Sequence, residues 1–262
     1  LEKDVERIRI VAALIEGGMR PSELLEATLA ELKAAAPSRS PLNPEVEAWL
    51  SMAAEFKAGS LRAALRQSMQ AMEALPFLLE RVTPFLVQVG EAWESGQWTV
   101  GQEHSATEVV HEVLHELVSS VRAAWSQDSP ARVLIAGLPG ETHGLVVQML
   151  EVVSREAGAD VWSLGVNCPI ESFAQAAQAT RATHILTHIS AANAGIKADQ
   201  SLRDLLELLA REVDSEATSQ PVELIVGGSG ALRSRRGVRG VTYLNDLTEL
   251  RRRLSTWTPQ PM

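Results

Sequence analysis

"ARVLIAGLPGETHG", residues 131–144, passes from an unbroken apolar run into a loop of glycine, proline and polar residues. A short run rich in Val, Leu and Ile is how a strand buried on both faces reads. Four more such runs follow: "ADVWSLG" (159–165), "THILTHI" (183–189), "VELIVGG" (222–228) and "GVTYL" (240–244). Helical spacing of apolar residues fills the gaps near 141–157, 169–180, 198–213 and 245–255. Strands alternating with helices predict a doubly wound, five-stranded parallel sheet. Ligands of such sheets bind outside the carboxyl ends of the strands. The loops that matter are therefore "GLPGETHG", "GVNCP", "HISAANAG" and "GGSG". The first is not G-x-G-x-x-G, so the dinucleotide fingerprint is absent. It carries instead Glu141 and His143, two residues apart. A loop with that spacing can aim the imidazole at a metal, while the carboxylate orients the ring and raises its basicity.

Upstream of residue 130 the composition changes to Ala, Glu, Arg and Leu at helical period. Helices are predicted at 3–17, 21–34, 44–57, 60–73, 76–95 and 99–126. Gly17-Gly18 and Gly59 suit helix ends, and Pro21 and Pro44 suit helix starts. "APSRSPLNPE" (36–45) combines three prolines with small polar residues and reads as a linker. The expected organisation is an N-terminal helical segment (1–36), a linker (37–44), a four-helix bundle (45–128) and the sheet domain (129–262).

The 262 residues are 45% hydrophobic, enough for real cores, and contain no apolar run of membrane length. "LEKDVERIRI" is no signal peptide, and a start at Leu1 without Met suggests a fragment of a longer product. The single cysteine, Cys168, excludes an internal disulfide, fits a reducing cytoplasm, and is expected to be inert. A net charge of −9 repels nucleic acid, so this piece alone is a poor DNA binder. "RSRRGVRG" (233–240) is expected as a solvated loop and "TWTPQPM" (256–262) as a frayed terminus. His184 and His188 read as packed or hydrogen-bonded strand histidines.

Residues 111–115, "HEVLH", fit the H-E-x-x-H pattern of zinc peptidases. On a helical wheel Val110, Val113, Leu114, Leu117 and Val121 form one apolar stripe. His111 and His115 fall on its flank and Glu112 points away from it toward water. Val118 replaces the glycine of the extended pattern and no third histidine follows, so a chance match is the better account. Glu103, in contrast, falls within the stripe. Either a polar partner meets it there, because a carboxylate aimed at a core is costly, or it frays toward solvent and complements the helix dipole.

Trp93, nine residues, then Glu103-His104, followed by "PGETHG" after the first strand, resembles the CarH/LitR-type cobalamin-dependent light-sensing repressors. That family carries W-x9-E-H in a four-helix bundle and an E/D-x-H-x-x-G loop in a Rossmann-like domain. The likeness extends to "LGVNCP", to Thr187-His188-Ile189 near an S-x-L position, to Gly227-Gly228 and to the N-terminus. "DVERIRIVAALIEGGMRPSELLEATLAEL" looks like the last helices of a MerR-type DNA-binding domain.

The resemblance implies an α + α/β chain in which a helical bundle caps a Rossmann-like cobalamin domain. It implies adenosylcobalamin as cofactor and His143 as the cobalt ligand in place of the cofactor's own dimethylbenzimidazole. Glu141 would support that loop, and Thr187, Gly227 and Gly228 would flank the displaced nucleotide tail. Trp93 and Val100 would line the adenosyl pocket, with Glu103 and His104 its polar contacts. The implied protein is a sensor and not an enzyme, a homo-oligomer bound to operator DNA through an upstream helix-turn-helix. Two other readings fit the same residues: a corrinoid carrier module for methyl transfer, and a partner-binding regulatory domain that has lost cobalamin. Two positions depart from the pattern. Val146 replaces the motif glycine, and Glu94 follows Trp93 where some members carry a cobalt-capping histidine. Thr187 in place of serine keeps the hydroxyl.

Overall fold

The structure, a computed structural model, describes residues 41–123, 131–213, 222–231, 238–244 and 246–257, with Thr28 and Glu31. The chain divides into two compact units, Leu1–Asn43 and Pro44–Met262. Apart from Thr28 and Glu31, the helices expected at 3–17 and 21–34 lie outside the described residues, as do 36–40 of the expected linker and most of 233–240.

Pro44 opens α1 (Pro44–Ala54), where its missing amide leaves no hydrogen bond unmade. Then come α2 (Ala58–Ala71), α3 (Ala74–Phe77), α4 (Thr83–Glu94) and α5 (Val100–Ala123). The single helix expected at 76–95 is interrupted by a π-helical turn, Leu78–Val82. Pro84 has no amide to donate to Glu80, and the backbone absorbs the loss in one wide turn, with the Thr83 amide donating to the Leu78 carbonyl. The apolar faces of these helices bury Trp49, Leu65, Phe77, Phe85, Val113 and Leu114. Trp49 and Phe85 meet edge-to-face with centroids 5.9 Å apart. On the outside, Arg62 donates to Glu112 at 3.0 Å and Arg66 to Glu116 at 2.8 Å, tying α2 to α5.

The sheet domain runs β1 (Arg132–Ala136), α6 (Gly144–Glu156), β2 (Asp160–Gly165), α7 (Ile170–Thr180), β3 (His184–His188), a 3-10 turn (Ala191–Asn193), α8 (Ile196–Val213), β4 (Glu223–Gly227), β5 (Val241–Tyr243) and α9 (Leu247–Ser255). All five predicted strands are present, parallel, in the order β2-β1-β3-β4-β5. Leu134, Ile185, Leu224 and Val226 pack one face against Phe173 of α7 and Leu202 and Leu205 of α8. Val133, Ile135 and Leu186 alternate with them and are equally buried on the opposite face, toward α6. Among the described residues no helix is long and apolar enough to cross a membrane.

The C-terminal expectation is corrected at one residue. Trp257, placed by sequence in a frayed tail, stacks edge-on against the fully buried His184, with ring centroids 5.2 Å apart. His184 Nδ1 meets the Thr183 hydroxyl at 2.8 Å. Its Nε2 lies 3.7 Å from Glu223, a carboxylate that also accepts from Thr242 at 2.6 Å and from Arg253 at 3.2 Å. Burial pushes the His184 imidazole below its ordinary value; Glu223 opposes this and Arg253 adds to it. The unfolded chain therefore takes up this proton at a higher pH than the folded one does. Stability from His184 is whole above about pH 6.5 and falls as the pH drops through that value. Urea unfolding should show the wild type losing stability between about pH 7 and pH 5, with His184→Gln losing less over the same window.

Candidate cofactor site

The strand order reverses between β1 and β3, so the loops that leave them diverge and open a crevice at the carboxyl edge of the sheet. The crevice holds about 470 Å³ and is lined by Leu138, Gly140, Glu141, His188, Asn193 and Ile196 among others. Two asparagines clamp its first loop. Asn167 accepts from the Gly140 amide at 2.8 Å, and Asn193 donates to the Gly140 carbonyl at 3.0 Å.

Glu141 sits at the bottom with its side chain only 1% exposed. Its Oε1 accepts from the amides of Thr142 (3.1 Å) and His143 (3.3 Å) and pairs with His143 Nδ1. Its Oε2 accepts from the Ser190 amide (2.9 Å) and Asn193 Nδ2 (3.1 Å). Burial alone would raise this carboxyl. The imidazoles of His143 and His188, the Ser190 amide and Asn193 outweigh it and hold Glu141 far below the usual carboxylate range. The ionised Glu141 fixes the proton of His143 on Nδ1, which leaves the Nε2 lone pair of a half-exposed ring available to a metal. Hydrogen bonding to Glu141 raises His143 above its ordinary value, burial opposes this, and the charges of Glu141 and Glu103 add to the rise. Glu103 of the bundle thus lies within electrostatic reach of the histidine loop.

His143 is the residue before α6, and Gly144 begins that helix. A Cβ at Gly144 would stand 3.1 Å from the ring of His111, whose Nδ1 is 3.0 Å from Gln148 Oε1. Close packing of α5 onto α6 therefore falls at Gly144, two residues before Val146, which is half-buried.

Thr187 is buried at the end of β3 with its hydroxyl unpaired, as is the hydroxyl of Ser190. The β4 loop is held to the β3 loop by the Ile189 amide donating to Gly227 O (3.0 Å) and the Gly230 amide donating to Ile189 O (2.9 Å). Three glycines there have different surroundings. A Cβ at Gly227 would project into open space; at Gly228, where φ is +95°, it would stand 2.5 Å from Ile189 O; at Gly230 it would stand 2.2 Å from Ser190 O.

In the bundle, Trp93 ends α4 and Val100 begins α5, and they are 48% and 53% exposed. Large apolar side chains this open are in position to cover a ligand. Thr99 and Gln102 form a capping box: the Thr99 amide donates to Gln102 Oε1 at 2.8 Å, and the Gln102 amide to Thr99 Oγ1 at 3.3 Å. Gln102 Nε2 also donates to Ala54 O at 2.7 Å and pins the first turn of α5 to α1. Glu103 is half-buried, takes the Thr107 hydroxyl at 2.8 Å and pairs with Nδ1 of the exposed His104. Of the two readings of Glu103 the first describes it: it faces inward and is met there by two polar neighbours.

The H-E-x-x-H match assembles no metal group. Among the described residues, the one set of His, Cys, Asp or Glu with mutually close ligand atoms is Glu141, His143 and His188. Glu112, expected to face only water, is partly covered by Arg62. Cys168 is buried, and burial raises its thiol. Sequence reasoning passed over Ser190, Asn193 and Asn167, and took His188 for a packed strand residue. These partners come from loops after different strands, and no local pattern joins them.

Residues 46–117, the bundle, match the family model described as B12 binding domain. The chain is 26% identical over 221 residues to the HTH-type transcriptional repressor CarH of Myxococcus xanthus, covering 80% of this chain and 72% of that protein. The monomethylamine corrinoid protein of Methanosarcina barkeri superposes with a TM-score of 0.60 at 13% identity, covering 79% of this chain and 95% of that one, a likeness of fold. The chain is thus a CarH-like protein that carries a B12-binding domain over residues 46–117.

Proposed function

We propose that this chain binds adenosylcobalamin and forms the light-sensing part of a MerR-type transcriptional repressor. The observation that carries the reading is the buried, ionised Glu141 paired with Nδ1 of His143, which leaves Nε2 of a half-exposed ring as the atom that would hold cobalt. Other residues suit the rest of the group. The unpaired buried hydroxyls of Thr187 and Ser190 and the open side of Gly227 fit a polar nucleotide tail that needs close backbone approach. Gly228 keeps the neighbouring turn. Trp93 and Val100 offer apolar cover to an upper group, and Glu103 and His104 offer it hydrogen bonds.

When bound, the cofactor supplies a weak cobalt–carbon bond that light breaks. Trp93, Val100, Glu103 and His104 gain contacts only while the upper group is attached, so they favour one arrangement of the cap over another. Oligomer assembly, and operator binding through an upstream helix-turn-helix, would follow that preference. Residues 1–36 would be the end of the DNA-binding domain, 37–44 a linker, 45–128 the cap and 129–262 the cobalamin domain.

The test is to purify the protein in darkness with adenosylcobalamin, record its visible spectrum, illuminate it, and measure oligomer size before and after. Bound corrinoid, a spectral change on illumination and a smaller particle are expected. Absence of bound corrinoid would overturn the reading. Light-insensitive corrinoid combined with methyl transfer to or from the bound cobalt would favour the carrier module instead.

A further inference from the structure

His188 lies beside Glu141 and is the most anomalous polar side chain at the crevice. It is 2% exposed, and neither of its ring nitrogens makes a hydrogen bond. Its Nε2 lies 3.6 Å from Glu141 Oε1, too long for a hydrogen bond but within ion-pair reach. Buried imidazoles are seldom left unpaired, and a place kept for an ion is one of the few physical reasons for it.

We propose that the corrin-free protein binds a borderline divalent transition-metal cation of the Zn²⁺ class on Glu141, His143 and His188. One ligand atom from each residue lies within 4.8 Å of the others. Ligands at about 2.0–2.2 Å from a tetrahedral ion stand roughly 3.3 Å apart, so movements of up to about 1.5 Å close the shell. Two imidazoles and one carboxylate are the donor set of Zn²⁺ and its neighbours, whereas Mg²⁺ and Ca²⁺ demand oxygen. The carboxylate is already ionised and oriented, because the Ser190 amide and Asn193 hold its other oxygen. His143 would present Nδ1 to the cation, its single ring proton moving through water to Nε2, and, being half-exposed, it provides the way in and an open fourth position. The cation and the corrinoid both claim His143 and therefore exclude one another. That exclusion rests on the proposed function, and cation binding itself does not.

Calorimetric titration of the corrin-free full chain with Zn²⁺ alone tests the site. One equivalent per chain is expected for the wild type, with loss of that equivalent in His188→Gln, a variant of similar size. Adenosylcobalamin added to the Zn²⁺-loaded wild type should release one ion per chain. No Zn²⁺ in the wild type, or an unchanged equivalent in His188→Gln, would overturn the site, the latter by moving the ion to exposed His104, His111 or His115. Should His188→Gln fail to fold, the double variant His111→Gln/His115→Gln decides: an unchanged equivalent supports the site, and its loss overturns it. Zn²⁺ without corrinoid binding would refute the proposed function and leave the cation site standing, and corrinoid without Zn²⁺ would do the reverse.

Discussion

His143→Ala should fold normally and bind adenosylcobalamin far more weakly than the wild type. The ring is half-exposed, so its removal opens no cavity in the core. Glu141 keeps its bonds to the Ser190 amide, to Asn193 and to the amides of residues 142 and 143, so the buried carboxylate is not left unpaired. What is lost is the imidazole at the crevice whose second nitrogen faces outward with its tautomer fixed. Losing an outer partner of a metal ligand typically costs about 10–100-fold in affinity, and losing the ligand should exceed this. Glu141→Gln supplies the comparison within the same experiment. It keeps the volume and removes the charge that orients His143, and should fall within that roughly 10–100-fold range. Titration in darkness, followed by visible absorption, separates the two. Residual corrinoid on His143→Ala should show the spectrum of the free cofactor, with its own base on cobalt; an unchanged spectrum would refute the ligand assignment.

Gly230→Ala should be the most damaging single methyl in the sheet domain. Its Cβ would stand 2.2 Å from Ser190 O and 2.7 Å from Ile189 Cγ2, and a backbone carbonyl cannot swing aside as a side-chain end can. The β3 and β4 loops must separate, which breaks the bond from the Gly230 amide to Ile189 O and displaces the Ser190 amide from Glu141. Overpacking of this severity costs about 3 kcal/mol or more. A chain of this size should lose roughly 6–12 °C in thermal midpoint. Gly227→Ala, three residues earlier, is the control. Its methyl meets nothing within 4 Å, so the midpoint should hold while cofactor affinity falls. Equal losses of midpoint in both variants would show that the loop yields and that the clash at residue 230 is not decisive.

The five strands were legible because each is a short apolar run bounded by turn residues, and burial on both faces leaves no polar alternation to obscure it. The start of α5 falls within one residue of its predicted place, where the structure adds a capping box at Thr99 and Gln102. The π turn before Pro84 was not legible, since a proline announces a lost hydrogen bond without stating how the backbone will absorb it. At the site, Glu141 and His143 are neighbours in sequence and could be paired by eye. Asn193, Ser190 and His188 reach the same carboxylate from about fifty residues away, through a crevice that exists only once β1 and β3 are adjacent. Helical-wheel geometry gave Glu103 its inward direction, but its companions Thr107 and His104 depend on rotamers that a wheel does not contain.

The unequal surroundings of Gly227 and Gly230 also make the β4 loop a record of ancestry. Protein backbone alone forbids a side chain at residue 230, whatever the chain binds. At residue 227 the protein itself leaves room for a side chain, so only a ligand lodged there would forbid one. A lineage that abandoned its cofactor would be released from selection at 227 and remain bound by it at 230. Drift at the first position with invariance at the second would mark, among descendants of this fold, those that no longer carry the group.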